Sequence, residues 1–284
     1  VTEGQLSTAD HRTDAAGLEY VYAVVSRRAG GVSVGVNLNP NNACNWRCVY
    51  CQVPGLTRGA APALDLDRLE RELRGLLTDI VHGGFMARRV PADLRRLESI
   101  AFSGNGEPTS SPQFPVAVER VGTVLEDLGL AGRVRVILIT NGSRVMRPAT
   151  LAGLRTLAAI GGEAWLKVDR GTPEGIRQVN SVELSPEQVL RHLTVAAGLC
   201  PTWVQTCMFT LDGEPPDARE RTAYLELLAE AVRRGVRLQG VLLYGVARPS
   251  LQPEAPRLGR LPEAWLQALA REIEGLGLPV VVTP

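Results

Sequence analysis

Cys44, Cys48 and Cys51 fall within eight positions of the stretch NNACNWRCVYCQ, spaced C-x-x-x-C-x-x-C. The thiolate is a metal ligand, so a compact loop carrying three of them can wrap one metal ion or one cluster. A structural zinc site wants a fourth Cys or His at matching spacing. None is near: His82 lies beyond the next helical pattern, and Cys200 and Cys207 are far away in sequence. An iron–sulfur cluster held by three thiolates leaves one iron open to an exogenous ligand.

Other segments carry chemistry of their own. In SGNGEPT, residues 103–109, Gly104 and Gly106 flank Asn105 and precede Glu107. Such a turn brings backbone close to a ligand, and its N–H and C=O groups can receive a carboxylate or an ammonium; the plainer reading is a turn before a helix. ITNG places Asn141 before Gly142, a good turn pair that can equally approach a ligand. In AWLKVD, Lys167 and Asp169 stand two residues apart, on one face of a strand at its carboxyl end. A surface ion pair is one reading. Yet Lys167 is the only lysine among 31 basic residues, so a flexible primary amine is preferred there over a guanidinium. Lys167 and Asp169 are therefore expected to face the central cavity.

Gln205 and Cys207 alternate with Val204, Thr206 and Met208, so both share a face. Cys207 reads either as a buried inert thiol or as a hydrogen donor or cluster neighbour reaching the cavity. Cys200, before a proline, reads as structural. Arg248 in YGVARPS is either a solvated loop arginine or a holder of a carboxylate or phosphate. His11, His82 and His192 show no ligand spacing, and the helical arginines, such as Arg71, Arg74 and Arg233, read as solvated faces.

The elements that must position these groups are short strands alternating with helical patterns. Strands are expected at 31–38, 98–104, 133–140, 163–169, 202–211 and 237–246, and PVVVT at the end can add a short seventh. After the cysteine loop, Leu69, Leu73, Leu76, Leu77 and Ile80 fall on one helical face behind a capping Asp65 or Asp67. SPEQ at 185–188 carries a capping box. Six strand-then-helix units imply an α/β fold with parallel strands and right-handed crossovers, either a partial barrel or an open doubly wound sheet. Residues 1–30 read as a helical preface and 31–284 as one core domain. In such folds ligands sit at the carboxyl ends of strands, where all these motifs fall.

Composition sets the outer limits. The 284 residues are 45% hydrophobic and 21% charged, with a formal net charge of +1, so no global electrostatic footprint for nucleic acid or acidic lipid is present. No apolar run approaches the roughly eighteen residues that cross a bilayer, and the first residues lack the pattern of a secretory signal. A cytoplasmic location without a membrane partner is expected. Five cysteines, three of them crowded, do not form a disulfide framework and point to metal or catalysis.

The C-x-x-x-C-x-aromatic-C run, with Tyr50 before the last cysteine, resembles the signature of radical S-adenosylmethionine (SAM) enzymes. The resemblance implies a partial (βα)6 barrel in which Cys44, Cys48 and Cys51 hold a 4Fe-4S cluster. The open iron then takes the amino and carboxyl groups of SAM, and reduction cleaves SAM to methionine and a 5′-deoxyadenosyl radical that abstracts hydrogen from a substrate. It further implies Tyr50 near the adenine and SGNGEPT at the SAM amino group. This sequence reads G-N-G-E there instead of G-G-E. Lys167, Asp169, Asn141 and Gln205 are then expected near SAM, and Lys167, Asp169 and Cys207 near the reaction. An electron donor such as flavodoxin or ferredoxin is implied as a partner. The SG-x-GEPT and ARP segments are similar to the radical SAM core of wybutosine-synthesising enzymes. Activation of a glycyl-radical enzyme and modification of tRNA or a peptide are the substrate readings, with a zinc-binding module as the non-enzymatic alternative.

Overall fold

Runs rich in β-branched and other apolar residues form the strands, and in the computed structural model eight of them join into one continuous sheet. The structure describes residue 6, residues 17–26 and residues 30–284. In chain order the elements are β1 (Val21–Ser26), β2 (Gly31–Val36), β3 (Ala43–Cys44), β4 (Thr57–Arg58), α1 (Leu66–Val81), α2 (Phe85–Arg89), β5 (Leu97–Phe102) and α3 (Phe114–Asp127). They continue as β6 (Arg135–Thr140), α4 (Pro148–Ala159), β7 (Glu163–Lys167), α5 (Pro173–Asn180), α6 (Pro186–Ala197), β8 (Thr202–Met208) and β9 (Thr210–Leu211). The chain ends with α7 (Ala218–Arg233), β10 (Leu238–Gly245), β11 (Leu258–Gly259), α8 (Glu263–Glu274) and β12 (Val280–Thr283).

The main sheet runs β1-β2-β5-β6-β7-β8-β10-β12. All neighbours from β2 to β12 pair in parallel, whereas β1 is antiparallel to β2. Helices cover the convex face, and the sheet curls into a partial parallel barrel whose concave face holds a cavity. All six expected strands form, and β12 supplies the seventh. The helix starts also form as the residue types dictate: Asp65 caps α1 by accepting from Arg68 N–H, and Ser185 and Gln188 make a reciprocal capping box on α6. Among the described residues no helix is long and apolar enough to cross a membrane.

The helical preface needs correction. Residues 21–26 are a strand, because VYAVVS places β-branched residues opposite those of GVSVGV, with Val25 facing Val32 and Ala23 facing Val34. The hairpin crosses the expected boundary at residue 30 and belongs to the core sheet. Most of the rest of the preface lies outside the described residues. β1 also shapes the cavity: Tyr22 lies over Gly35, where a Cβ would come within 2.1 Å of the ring, and its hydroxyl meets Ser103 Oγ at 3.1 Å.

Candidate active site

The loop between β2 and α1 carries the three cysteines to the carboxyl rim of the barrel, and all three line one cavity of about 540 Å³. Its backbone is anchored from several sides. Asn39 Nδ2 donates to the Ala43 carbonyl at 2.9 Å, Val49 N–H to the Val179 carbonyl at 2.8 Å, and Ser250 Oγ to the Val49 carbonyl at 2.7 Å. Arg47 makes a bidentate pair with Glu254 at 2.9 and 2.7 Å. With the main chain thus satisfied, the thiols are left to face the cavity. Burial pushes Cys44 up to about 11 and Cys48 up to about 12, and Cys51 rises for the same reason. In the unligated protein they are therefore thiols, which shed their protons on binding a metal.

SGNGEPT packs directly against this loop. A Cβ on Gly106 would come within 2.2 Å of the Ala43 carbonyl oxygen, and Gly104 adopts φ +141° beside Asn37. Asn37 Oδ1 accepts from Asn105 N–H at 3.2 Å, and Asn105 Nδ2 donates to Asn42 Oδ1 at 2.6 Å. Asparagine in the G-N-G-E variant thus fastens the turn to the cysteine loop. Glu107 is buried and accepts from Thr109 N–H and Oγ1, from Thr140 Oγ1 and from Asn141 N–H. Burial raises its carboxyl and these four donors counter that rise. The glutamate thereby ties the turn to the end of β6. Asn141 donates through Nδ2 to Asn45 Oδ1 at 3.0 Å, holding the cysteine loop from the β6 side.

Lys167, at the last position of β7, lines the cavity with its ammonium 3.2 Å from the Tyr244 hydroxyl and 4.8 Å from the centroid of Tyr50. Burial disfavours its charge, but Asp169 and the phenol and thiols around it outweigh that, so the group is held charged. Asp169 departs from expectation. β7 ends at Lys167, and two residues beyond it Asp169 is buried and is not among the cavity-lining residues. Its Oδ2 accepts from Tyr50 OH at 2.5 Å and Asn180 Nδ2 at 2.9 Å, and its Oδ1 from Cys207 N–H at 3.0 Å. Strand alternation placed both side chains on the cavity wall; beyond the end of β7 the Asp169 carboxylate is instead turned to Tyr50 and Asn180, still close enough to Lys167 to favour its charge.

Tyr50 lines the cavity and packs on Phe209 with ring centroids 5.6 Å apart. Gln205 and Cys207, both buried, also line it, and the Cys207 thiol bonds the Tyr244 hydroxyl. Cys200 is buried away from the site. Missing from the sequence reading is Asn180, at the end of α5, whose amide reaches Cys48 Sγ at 3.2 Å. Tyr22, Tyr244 and the pair Asn37 and Asn39 were missed as well. Only the asparagine-rich NLNPNN after β2 carried a visible signal.

The donor set fits an iron–sulfur cluster: three softly ligating sulfurs on one cavity wall, with no carboxylate or imidazole among them. Among the described residues no three His, Cys, Asp or Glu side chains converge on a single ion.

A partial parallel barrel with three cysteines after the first parallel strand and a glycine turn after the next defines a class of cluster-bearing enzymes. The family model described as the radical SAM superfamily matches residues 38–225, and the chain belongs to that superfamily. Membership in that superfamily implies SAM and an iron–sulfur cluster as cofactors. The fold is similar to that of a radical SAM methyltransferase from Sphaerobacter thermophilus, at TM-score 0.60 and 14% identity over 93% of this chain and 68% of that one. It is also similar to TYW1, solved with a lysine-pyruvate adduct bound, at TM-score 0.57 and 14% identity over 88% and 74%. SuiB from Streptococcus suis bound to SAM gives TM-score 0.53 at 10% identity, over 88% of this chain and 46% of that chain. Among curated proteins, the GTPase Obg of Brachyspira hyodysenteriae (strain ATCC 49526 / WA1) is 25% identical over 123 residues, which are 42% of this chain and 15% of that protein. The chain thus spans less than half of SuiB and a small part of the GTPase, and the activity of neither carries over.

Proposed function

We propose that Cys44, Cys48 and Cys51 hold a 4Fe-4S cluster whose fourth iron binds SAM. The observation that carries this reading is the common cavity onto which the three thiols, the Gly104–Gly106 turn and Lys167 all open. When bound, the cluster supplies one electron that cleaves SAM to methionine and a 5′-deoxyadenosyl radical, which takes hydrogen from the substrate.

The protein's own residues supply orientation and charge. Gly106 lets the turn lie against the cysteine loop, so that its backbone can receive the amino group of SAM. Glu107 and Asn141 hold that turn and the loop at a fixed separation. Lys167, charged and screened from water, offers an ammonium to the carboxylate or ribose of SAM, with Gln205 beside it. Tyr50 presents its ring to the adenine while its hydroxyl is held by Asp169. Asp169 acts as a positioning residue, and Cys207 stands on the cavity wall as a hydrogen donor.

A flavodoxin or ferredoxin is the proposed reductant. The cysteines are free thiols, in keeping with a reducing compartment and hence the cytoplasm. Because β1 and β12 are the two ends of the sheet among the described residues, a laterally open cavity is inferred, which supports a large substrate such as a protein or tRNA. The sheet that takes in β1 supports reading the described residues as one catalytic unit.

Anaerobic reconstitution followed by dithionite reduction with SAM tests the reading. Release of 5′-deoxyadenosine is expected, with none from Cys48→Ala. A preparation holding zinc without iron or sulfide would favour the zinc-binding module instead.

A further inference from the structure

The cavity does not end at the layer of Lys167. Strand alternation aims Glu163, Trp165 and Lys167 of β7 at it, and all three line it. Trp165 thus lies about 7 Å from Lys167 toward the amino end of the strand, and Glu163 about 7 Å further. Trp203 stands beside Trp165 in the parallel register, and Gly240 of β10 comes next to Trp203. A Cβ on Gly240 would come within 2.7 Å of the Trp203 ring, so the glycine gives that indole its place. Ile139, paired with Trp165, and Leu242 on β10 extend the same wall.

Burial on these strands is the reverse of a filled barrel, in which the inward side chains pack the interior. On β7 the outward Ala164 and Leu166 are 0% and 1% exposed. Trp165, Trp203, Ile139 and Leu242, which line the cavity, stay partly exposed. The polar groups at this level are already used. Glu163 accepts from Trp165 Nε1 at 3.0 Å through Oε1 and from Trp203 Nε1 at 3.1 Å through Oε2. Ser33 Oγ and Ser99 Oγ bond each other at 2.9 Å. Arg135 is exposed, beyond this layer at the amino end of β6. A group entering here meets apolar surface and few hydrogen-bond partners, so it must itself be apolar. One carboxylate fixes both indoles, so they lose little freedom on contact and suit a planar partner.

We infer that this compartment, walled by Trp165, Trp203, Ile139 and Leu242, receives an aromatic ring carried by the substrate. This rests on the SAM site proposed above, which sets the radical at the rim, one layer of side chains from the ring. The tryptophans bind and orient; they take no part in bond making. The rim serves SAM, and the layer beneath it selects the substrate.

Fluorine NMR with 6-fluoroindole as the probe tests the compartment on the cluster-free chain. Wild type is expected to broaden the probe signal, and Trp203→Leu and Trp165→Leu should each weaken binding about tenfold or more. Trp203→Phe, which keeps a ring, should stay within about threefold of wild type. Ala101→Leu leaves both indoles in place and fills the cavity from β5, so it should also shut the probe out. Fluorocyclohexane should bind about tenfold more weakly than 6-fluoroindole. No broadening by wild type would overturn the inference. So would wild-type affinity in the three leucine variants, or equal affinity for the two probes. A signal restored by adenosine yet indifferent to Trp203→Leu would place the ring in the adenine site and equally overturn it. If the reconstituted protein cleaves no SAM with dithionite, the proposed function fails, while probe binding to the cluster-free chain still reads the compartment.

Discussion

The Tyr50 hydroxyl donates to Asp169 Oδ2 at 2.5 Å, joining the aromatic neighbour of the last loop cysteine to the chain just beyond β7. The same carboxylate accepts from Asn180, whose amide also touches Cys48 Sγ, and from Cys207 N–H on β8. One buried carboxylate thus sets the position of the loop relative to two strands and a helix.

Asp169→Ala should therefore lower stability by about 3–5 kcal/mol, because it leaves three donors and the Lys167 charge without their partner. Tyr50→Phe removes one bond and should cost about 1–2 kcal/mol. Urea unfolding of the metal-free chain measures both. An Asp169→Ala protein of wild-type stability that has lost only SAM binding would return Asp169 to the role of a cofactor contact.

Gly106→Ala tests the fit of the glycine turn against the cysteine loop. The added Cβ meets backbone oxygen of Ala43, which cannot step aside as a side-chain end could. A loss of about 1–3 kcal/mol is expected, together with poorer iron retention after desalting. Wild-type thermal unfolding and iron content would show that the loop yields.

Much of this was legible in the sequence because it depends on local spacing. The cysteine triplet, the strand ends and the caps at Asp65 and Ser185 are all set within a few residues. Lys167 stood out by composition and does face the cavity. What escaped depends on contacts between segments far apart in the chain. Asn180 lies 132 residues from Cys48, and nothing in its own helix distinguishes it. Asp169 was placed by strand alternation, a rule that lapses where β7 ends. The β1 strand was hidden because VYAVVS gains its partner only from the next segment, while its neighbours AAGLEY suggest a helix.

Lys167→Met should lower the midpoint potential of the reconstituted cluster. The fixed ammonium acts on Cys48 and Cys51 and favours the more negative, reduced state. Lys167→Arg restores charge without the fit of a single ammonium, so it should recover the potential better than SAM affinity. Redox titration followed by electron paramagnetic resonance (EPR) reads the shift. An unchanged midpoint in Lys167→Met would confine the lysine to SAM or substrate.

His192 gives the fold a defined acid sensitivity. Burial on α6, with Arg191 adding to it, holds its imidazole below the ordinary 6.5. The unfolded chain takes up the proton near 6.5 while the folded one does not, so this stability is present above 6.5 and lost as pH falls below it. His192→Gln should flatten that part of the slope in urea midpoints measured across the range. An identical slope in the variant would place the sensitivity elsewhere.

The account turns on the proposed open iron, which no side chain of this protein would ligate. Reduced, reconstituted protein mixed with SAM labelled with ¹⁵N at its amino group, examined by pulsed EPR, addresses that point most directly. Coupling between the label and the cluster spin is expected, and it should vanish together with the cluster in Cys48→Ala. A cluster signal that is indifferent to labelled SAM, or a protein that retains zinc without iron, would contradict the account.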